Sequence, residues 1–577
     1  LLLPIRVLLP GLLKKYASNL GRTPFFHKLL PPITVKTIQA NLIDIHARET
    51  YGATIEIENQ HITKITRDGK TYDRFICPGL VDAHVHIESS MLIPSEFARL
   101  AVRHGCVATV SDPHEIANVL GVQGVAFMIE NGNSVPFKFH WTAPSCVPAT
   151  SFETSGATLS AVDIEPLITH PQVVALGEMM NFPGVIYEDQ EVLAKLTVAK
   201  KAGKPIDGHI PGIAGEELKK YVAGGITTDH ECVSLEEARE KLNLGMKVLI
   251  REGSAAKNFM SLHSLITTDT GMVMLCTDDS HPDELLESGN IVKMIKLGLA
   301  HGHSVYDLLR CCTLNPVEHY HLDVGLLRVG DKADFIVVDN PDDFNVQQTC
   351  INGALVYNGE EVSFARVKTE PVNAFARGPL DLSAIKLRST SGRVKVIEAL
   401  DGELLTTWTT AELPVRNETV LTDPQNDILK VVVLNRYTPD STPVVGFIKG
   451  FGLTKGAIAT SIAHDSHNII AVGENDPDIV AAINVIIANK GGITVVQEKA
   501  EQTIGLEYGG IMTDQPGAKV ASLYQQLNRQ VKELGCTLTA PFMTLSFMSL
   551  LVIPSLKIGD QGLFDGEKFQ FTELFVA

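Results

Sequence analysis

Six residues carry the chemistry this sequence can offer: His84, His86, Glu178, His209, His230 and Asp278. His84 and His86 stand two apart in "PGLVDAHVH", and residues i and i+2 of a strand point to one face. Their imidazoles can therefore share one metal ion. Glu178 lies in "VVALGEMMN", His209 in "PIDGHIPG", His230 in "ITTDHECV" and Asp278 in "MVMLCTDDSH", each closing a short apolar run. Four imidazoles and two carboxylates suit one or two divalent ions with open positions. Hard oxygen donors without thiolate favour zinc, manganese or iron over copper or an iron–sulfur centre. A lone histidine is ordinarily a satisfied structural residue. Six ligand-type side chains closing five such runs are not an accident of composition.

Those runs belong to a longer rhythm. From about Phe75 to Tyr320 eight buried-looking segments recur, each followed by a turn and most by a helix-like stretch: "FICPGLVDAHVH", "CVATVSDPHE", "FKFHWTAPSC", "VVALGEMMN", "PIDGHIPG", "ITTDHECV", "KVLIREGS" and "MVMLCTDDSH". Roughly 245 residues of this pattern fit a (β/α)8 barrel of TIM type, whose active sites sit at the carboxyl ends of the strands. All six candidates occupy such ends. A doubly wound sheet would need a Gly-rich phosphate turn after its first strand, whereas this one ends in histidines.

Two flanking blocks, Thr34–Cys77 and Val324–Tyr357, alternate apolar and polar residues, as in "ATIEIENQHITKI" and "VGLLRVGDKADFIVVDN". That period reads as half-wet strands, and the two blocks predict one composite β-sandwich from residues 34–74 and 321–371 around a barrel at 75–320. Residues 372–577 mix strand-like runs with helical ones (Asp476–Asn489, Ala518–Leu534) and read as a separate α+β domain. Residues 1–33 hold Arg6, Lys14, Lys15, Arg22 and Lys28 and no acid. They read as a poorly ordered basic lead, with a signal or transit peptide as the alternative.

Composition narrows the partners. Of 577 residues, 45% are hydrophobic and 20% charged, which suits a globular core and excludes a disordered or fibrous chain. The 67 acids against 49 bases leave a net charge of −18, so an anionic nucleic acid is a poor partner. No apolar run is long enough to span a membrane. Nine scattered cysteines without a C-x-x-C pair fit neither a disulfide framework nor a zinc ribbon. A reducing compartment, the cytoplasm, is expected.

"PGLVDAHVHIESSM", "GEMMN", "DGHIPG", "GGITTDHECVSLEEAREKL" and "CTDDSHPDELLESG" resemble the amidohydrolase superfamily and, within it, the bacterial-type adenine deaminases; "LNRY" and "GAIATSIAHDSHNIIAVG" resemble their C-terminal domain. The resemblance runs from about Thr34 to the C-terminus. It implies two divalent ions, manganese or iron first and zinc as the alternative, and hydrolytic deamination of adenine to hypoxanthine and ammonia by a homo-oligomer. His84 and His86 would bind one ion with Asp278 beside it, His209 and His230 the other, and Glu178 would bridge them where many relatives carry a carboxylated lysine. Asp278 would take the proton of the attacking water and pass one to the departing ammonia. Asp279 is a rival for that role, and strand alternation predicts that only one of the pair faces the site.

Protonation of the purine ring needs a further acid; His114, Glu115, Glu252 and His281 are candidates, while Ser89 and Ser90 of "ESSM" are candidates for the pocket wall. In "AHDSHN" the residues His464–His467 read as a local turn, with contact to the barrel mouth or a neighbouring subunit as the alternative. Consecutive residues do not converge as a serine-hydrolase triad. Cys311 and Cys312 read as packed helix surface. Two other functions fit the same signals: an amidohydrolase acting on a cyclic amide or another aminated heterocycle, and a scaffold without catalysis.

Overall fold

Alternation in the first block produces four strands: β1 (Thr37–Asp44), β2 (Glu49–Glu58), β3 (His61–Arg67) and β4 (Phe75–Pro78). Ile38, Ala40 and Leu42 of β1 pack with Ala53, Ile55 and Ile57 of β2 in one dry cluster, while Thr37 and Gln39 stay exposed. The computed structural model describes residues 34–498 and 500–576, so the basic lead at 1–33 lies outside the described residues.

The middle of the chain is a barrel. β5 (Leu80–His86), β6 (Cys106–Ser111), β7 (Lys138–Ala143), β8 (Val173–Met179) and β9 (Ile206–Gly208) pair in parallel, in sequence order. β10 (Thr228–Asp229), β11 (Lys247–Arg251) and β12 (Val273–Cys276) continue it, with Thr227 N donating to Ile206 O across 2.9 Å at the junction. The eighth strand resumes as β13 (Asp278–Asp279), which pairs with β5 and returns the ring to its start. All residues of β5 and β6 are buried, as expected where helices cover a parallel sheet and side chains fill the barrel. The intervening helices begin and end on local signals. Gln190–Ala202 starts where the Asp189 side chain accepts from the amides of Glu191 and Val192, and stops at Gly203, whose φ of 67° is left-handed.

β14 (Phe335–Val338), β15 (Val346–Ile351) and β16 (Ala354–Tyr357) then rejoin the first block. β14 lies antiparallel to β4, with Ile336 opposite Cys77. The two flanking blocks thus build a single seven-stranded sheet drawn from both sides of the barrel, where the sequence suggested a sandwich.

Beyond it an eight-stranded sheet, from Arg393–Ala399 to Ala500–Gly505, packs with helix Asp476–Asn489. Asn475 caps that helix through Asp478 N at 2.9 Å. The antiparallel strands Ala457–Thr460 and Ile469–Gly473 are joined by the segment from Ser461 to Asn468. This segment leaves its own sheet and leans on the barrel. Cys311 and Cys312 are packed as expected: both are fully buried, with Cys312 Sγ donating to Leu308 O. Among the described residues no helix is long and apolar enough to cross a membrane.

Candidate metal centre

The six strand-end residues converge. Glu178 is the hub: its Oε1 lies 3.1 Å from His86 Nε2 and 3.7 Å from His84 Nε2. Its Oε2 lies 2.8 Å from His209 Nδ1 and 3.3 Å from His230 Nε2. Asp278 Oδ1 approaches His86 Nε2 at 3.1 Å and His84 Nε2 at 3.8 Å. Every one of these side chains is buried.

Two features suit cations at this point. The Nε2 atoms of His84 and His86 face one another at 3.2 Å, while His86 Nδ1 is occupied by the carbonyl of Asp112 at 3.1 Å. That bond makes Nδ1 the donor and leaves the lone pair of Nε2 pointing at the centre, the usual support of a ligand histidine. His209 Nε2 is enclosed without a partner. Three-residue sets with ligand atoms mutually within 4.8 Å include His84–His86–Glu178, Glu178–His209–His230 and His84–His230–Asp278. Nitrogen and carboxylate donors with no sulfur suit divalent zinc, manganese or iron.

A deeper layer of carboxylates holds these six side chains in place. Asp82 and Asp207 precede His84 and His209 by two residues and so share their inward face. Asp82 accepts from Thr277 N at 3.0 Å and ties β5 to the segment before Asp278. Asp207 accepts from Thr228 Oγ1 and the Tyr320 hydroxyl, both at 2.9 Å. Asp112 accepts from Glu178 N at 2.9 Å; a Cβ at Gly177 would stand 2.4 Å from the same carboxylate oxygen, so this approach requires glycine there. Asp229 joins two ligand loops at once, accepting from Ile210 N (2.9 Å), Glu231 N (3.1 Å) and Lys241 Nζ (2.8 Å).

Charge sets the protonation states. Burial opposes ionisation of Glu178, but His230 and His209 outweigh it and hold the carboxyl well below the usual range. Burial likewise opposes ionisation of Asp278, and Arg251 and His86 overcome it. Both are carboxylates at neutral pH.

Strand alternation fails at Asp278 and Asp279. Asp278 has φ 56°, in the left-handed region, which breaks the period of two. Both aspartates therefore line the cavity. They are distinguished by their partners instead: the Ser89 hydroxyl donates to Asp279 Oδ1, whereas Asp278 faces the histidines.

Of the other candidates, His114 stands beside the centre, its Nδ1 3.6 Å from Glu178 Oε1, and Glu115 lies in the cavity wall. Ser90 donates to Ile87 O within its own loop. Glu252 is not brought in: it accepts from Phe259 N at 3.2 Å and lines a separate cleft with Lys257 and Lys293. His281 lies outside the cavity wall, against the ring of Tyr524 at 4.6 Å.

The turn expected at His464–His467 forms, with His467 N donating to Ala463 O at 2.7 Å, and it also makes the alternative contact: His464 and Asp465 line the barrel mouth. His464 Nδ1 lies 2.6 Å from Glu115 Oε1, and His467 Nε2 contacts the other oxygen. Leu404, Phe547 and Leu550 complete this roof from the same domain. Sequence reasoning also passed over Arg251 and Glu231, a buried pair at the cavity floor. Arginine is not a metal-ligand type, and only its place at the end of β11 could have drawn notice.

The amidohydrolase family matches residues 75–356 and the adenine deaminase C-terminal domain matches residues 403–570. An adenine deaminase of Methanosarcina mazei is 50% identical over 94% of this chain and the whole of that protein. One of Salinibacter ruber is 49% identical over 94% of this chain and 99% of its own length. A beta-aspartyl dipeptidase structure from Fervidobacterium islandicum AW-1 shares 16% identity over 58% of this chain and all of its own, with a TM-score of 0.44. With two relatives at about half identity along nearly their full length, the chain belongs to the adenine deaminase family of amidohydrolases.

Proposed function

We propose that this protein deaminates adenine hydrolytically, giving hypoxanthine and ammonia. The observation that carries this reading is the unbroken ligand set at the barrel mouth in a chain about half identical to adenine deaminases over 94% of its length. Membership of the amidohydrolases implies a divalent metal. Two ions, manganese or iron with zinc as the alternative, fit four imidazoles and two carboxylates: His84, His86 and Asp278 would hold one, His209 and His230 the other, and Glu178 both. Such ions acidify water, so that a strong nucleophile exists near neutral pH.

The chain's own groups do the rest. Asp278 accepts the proton of the attacking water and returns one to the amino group as it leaves as ammonia. Arg251 donates to Asp278 Oδ2 at 2.5 Å, which turns Oδ1 toward the centre. The roof of Leu404, Phe547 and Leu550 excludes bulk water. The division at residues 34–74 with 321–371, 75–320 and 372–577, a cytoplasmic location and a homo-oligomer of at least two chains belong to the same reading. The nine buried, unpaired cysteines support a reducing compartment.

Metal-reconstituted protein given adenine should release ammonia and hypoxanthine, and chelation with verified metal removal should abolish this. Turnover of dihydropyrimidines or cytosine in place of adenine would transfer the reaction to another substrate of the superfamily. A chain that stays free of metal under replete expression would be a scaffold.

A further inference from the structure

The six proposed ligands, Asp278 among them, account for the attacking water and the departing ammonia. They leave one proton unassigned. Addition of oxygen to an aromatic amidine carbon pushes an electron pair onto the adjacent ring nitrogen, which must be protonated as the bond forms. Of the other cavity groups, Asp279 accepts from the Ser89 hydroxyl, Glu231 is paired with Arg251, and His114 is walled in by Asp112, Glu115 and Glu178.

The C-terminal domain places one residue there with the geometry of a proton donor. His464 lines the same cavity as Asp278 and Asp279, 349 residues along the chain from the Glu115 it meets. Three contacts set its ring. Nδ1 lies 2.6 Å from Glu115 Oε1, the ring stacks on Phe547 at 4.8 Å and 22°, and its backbone amide donates to Ser546 O at 3.2 Å. A carboxylate on Nδ1, an aromatic on the ring face and a main-chain anchor leave little rotameric freedom. Nε2 has no hydrogen bond to protein among the described residues and is not enclosed, so it opens to the cavity. A carboxylate on one ring nitrogen with the other free toward substrate is the arrangement of an acid–base histidine.

We propose that His464 is the acid that protonates the heterocycle, with Glu115 as its positioning residue. This rests on the adenine reading. The imidazolium Nε2–H passes its proton to the ring nitrogen next to the attacked carbon as the C–O bond forms. Water supplies one oxygen and two protons. One proton travels through Asp278 to the amino group, and the C–N bond breaks to release ammonia. The other is lost when the C–OH becomes a carbonyl, and it restores the imidazolium. Nothing is oxidised or reduced.

The surroundings favour the charged ring. Burial works against it, but Glu115, Asp279 and Asp465 outweigh burial and raise His464 to about 9. Its neighbours His467, held down to about 4 by burial, and His281, held down to about 3, stay neutral and do not compete for that charge.

The test uses metal-loaded full-length protein, with His464→Ala and Glu115→Gln assayed for ammonia release from adenine with and without added imidazole. His464→Ala is expected to keep its metal, lose about 100-fold or more in kcat with KM changed far less, and recover at least about tenfold when imidazole fills the vacated space. Glu115→Gln is expected to move the alkaline limb of kcat to lower pH, because the ring loses the charge that keeps it protonated. A His464→Ala variant within about threefold of wild-type kcat, or a folded, metal-replete one that imidazole does not rescue, would overturn the proposal. If His464→Ala does not fold, an unmoved alkaline limb in Glu115→Gln overturns it. Wild-type protein inactive on adenine but active on another aminated heterocycle would instead overturn the substrate, and the same variants on that substrate decide His464.

Discussion

Arg251 spans the two acids at the floor of the site: its Nη1 donates to Asp278 Oδ2 at 2.5 Å, and the same guanidinium pairs with Glu231. All three side chains are buried. One oxygen of Asp278 is thereby committed to a fixed cation while the other faces His86 at 3.1 Å. That oxygen is held in place by the protein alone, and Glu231, 3.4 Å from His230 Nε2 and 3.6 Å from His209 Nδ1, is neutralised beside the two histidines.

Removing that cation strands two buried carboxylates. Arg251→Met is expected to cost about 3–5 kcal/mol of stability, the scale of a broken buried pair, and to lower kcat/KM by about 100-fold or more. Arg251→Lys recovers little, since one ammonium does not reproduce a planar fork that serves two acids. Thermal denaturation beside steady-state kinetics checks both parts. Wild-type stability in the Met variant would show that the pair is not balanced as described.

Glu178 carries its carboxylate intrinsically, with a reference pKa of about 4.3, so assembly needs no carbon dioxide. Wild-type protein reconstituted in bicarbonate-free buffer should reach full activity. Glu178→Gln keeps the shape but loses the charge that screens two dications, and it is expected to hold about one metal ion with turnover down by about 100-fold or more. Elemental analysis and ammonia release decide the matter. A Gln variant with both metals and full rate would reduce Glu178 to an ordinary strand-end residue.

Lys241 acts at a distance from the chemistry. Fully buried, it donates at 2.8 Å to Asp229, Glu237 and Ile210 O, and so fastens the loop after His209 to Asp229, the residue before His230. Lys241→Met should destabilise the fold by about 3–5 kcal/mol and weaken metal retention at those two histidines. Slower loss of metal to a chelator than in wild-type protein would contradict this.

His140, buried in β7, is pushed down to about 4 by burial and then by the charge of Lys138. The unfolded ring titrates near 6.5, so between these values the unfolded chain binds the extra proton. Its contribution to stability is complete above about pH 6.5 and is lost as the pH falls toward 4. The melting temperature of wild-type protein should drop through this window. His140→Gln should drop less steeply, whatever its absolute stability. Parallel curves for the two proteins would rule out a role for this residue in acid sensitivity.

Much of this arrangement was readable from local rules. Eight apolar runs became eight strand positions because buried parallel strands need such runs, and the period of two put His84 and His86 on one face. A barrel gathers its strand ends at one mouth, so residues 84, 178, 209, 230 and 278 converge though scattered along the sequence. Helix Gln190–Ala202 was equally legible, bounded by Asp189 and Gly203.

Other parts had no local signal. Asp278 and Asp279 read as opposite-facing until the left-handed backbone at Asp278 turned both into the cavity. Glu252 read as a candidate acid and Arg251 as nothing in particular, yet the barrel buries Arg251 against Asp278 and leaves Glu252 in a cleft beside Lys257. His464 read as part of a turn, and it is one, but its partner Glu115 lies 349 residues away and left no local signal. Propensity, alternation and capping act over two to four residues and so assign elements and faces. Which buried charge meets which counter-charge, and which loop roofs the barrel, depends on how whole domains pack, where desolvation obliges every enclosed ionic group to find its partner across the chain.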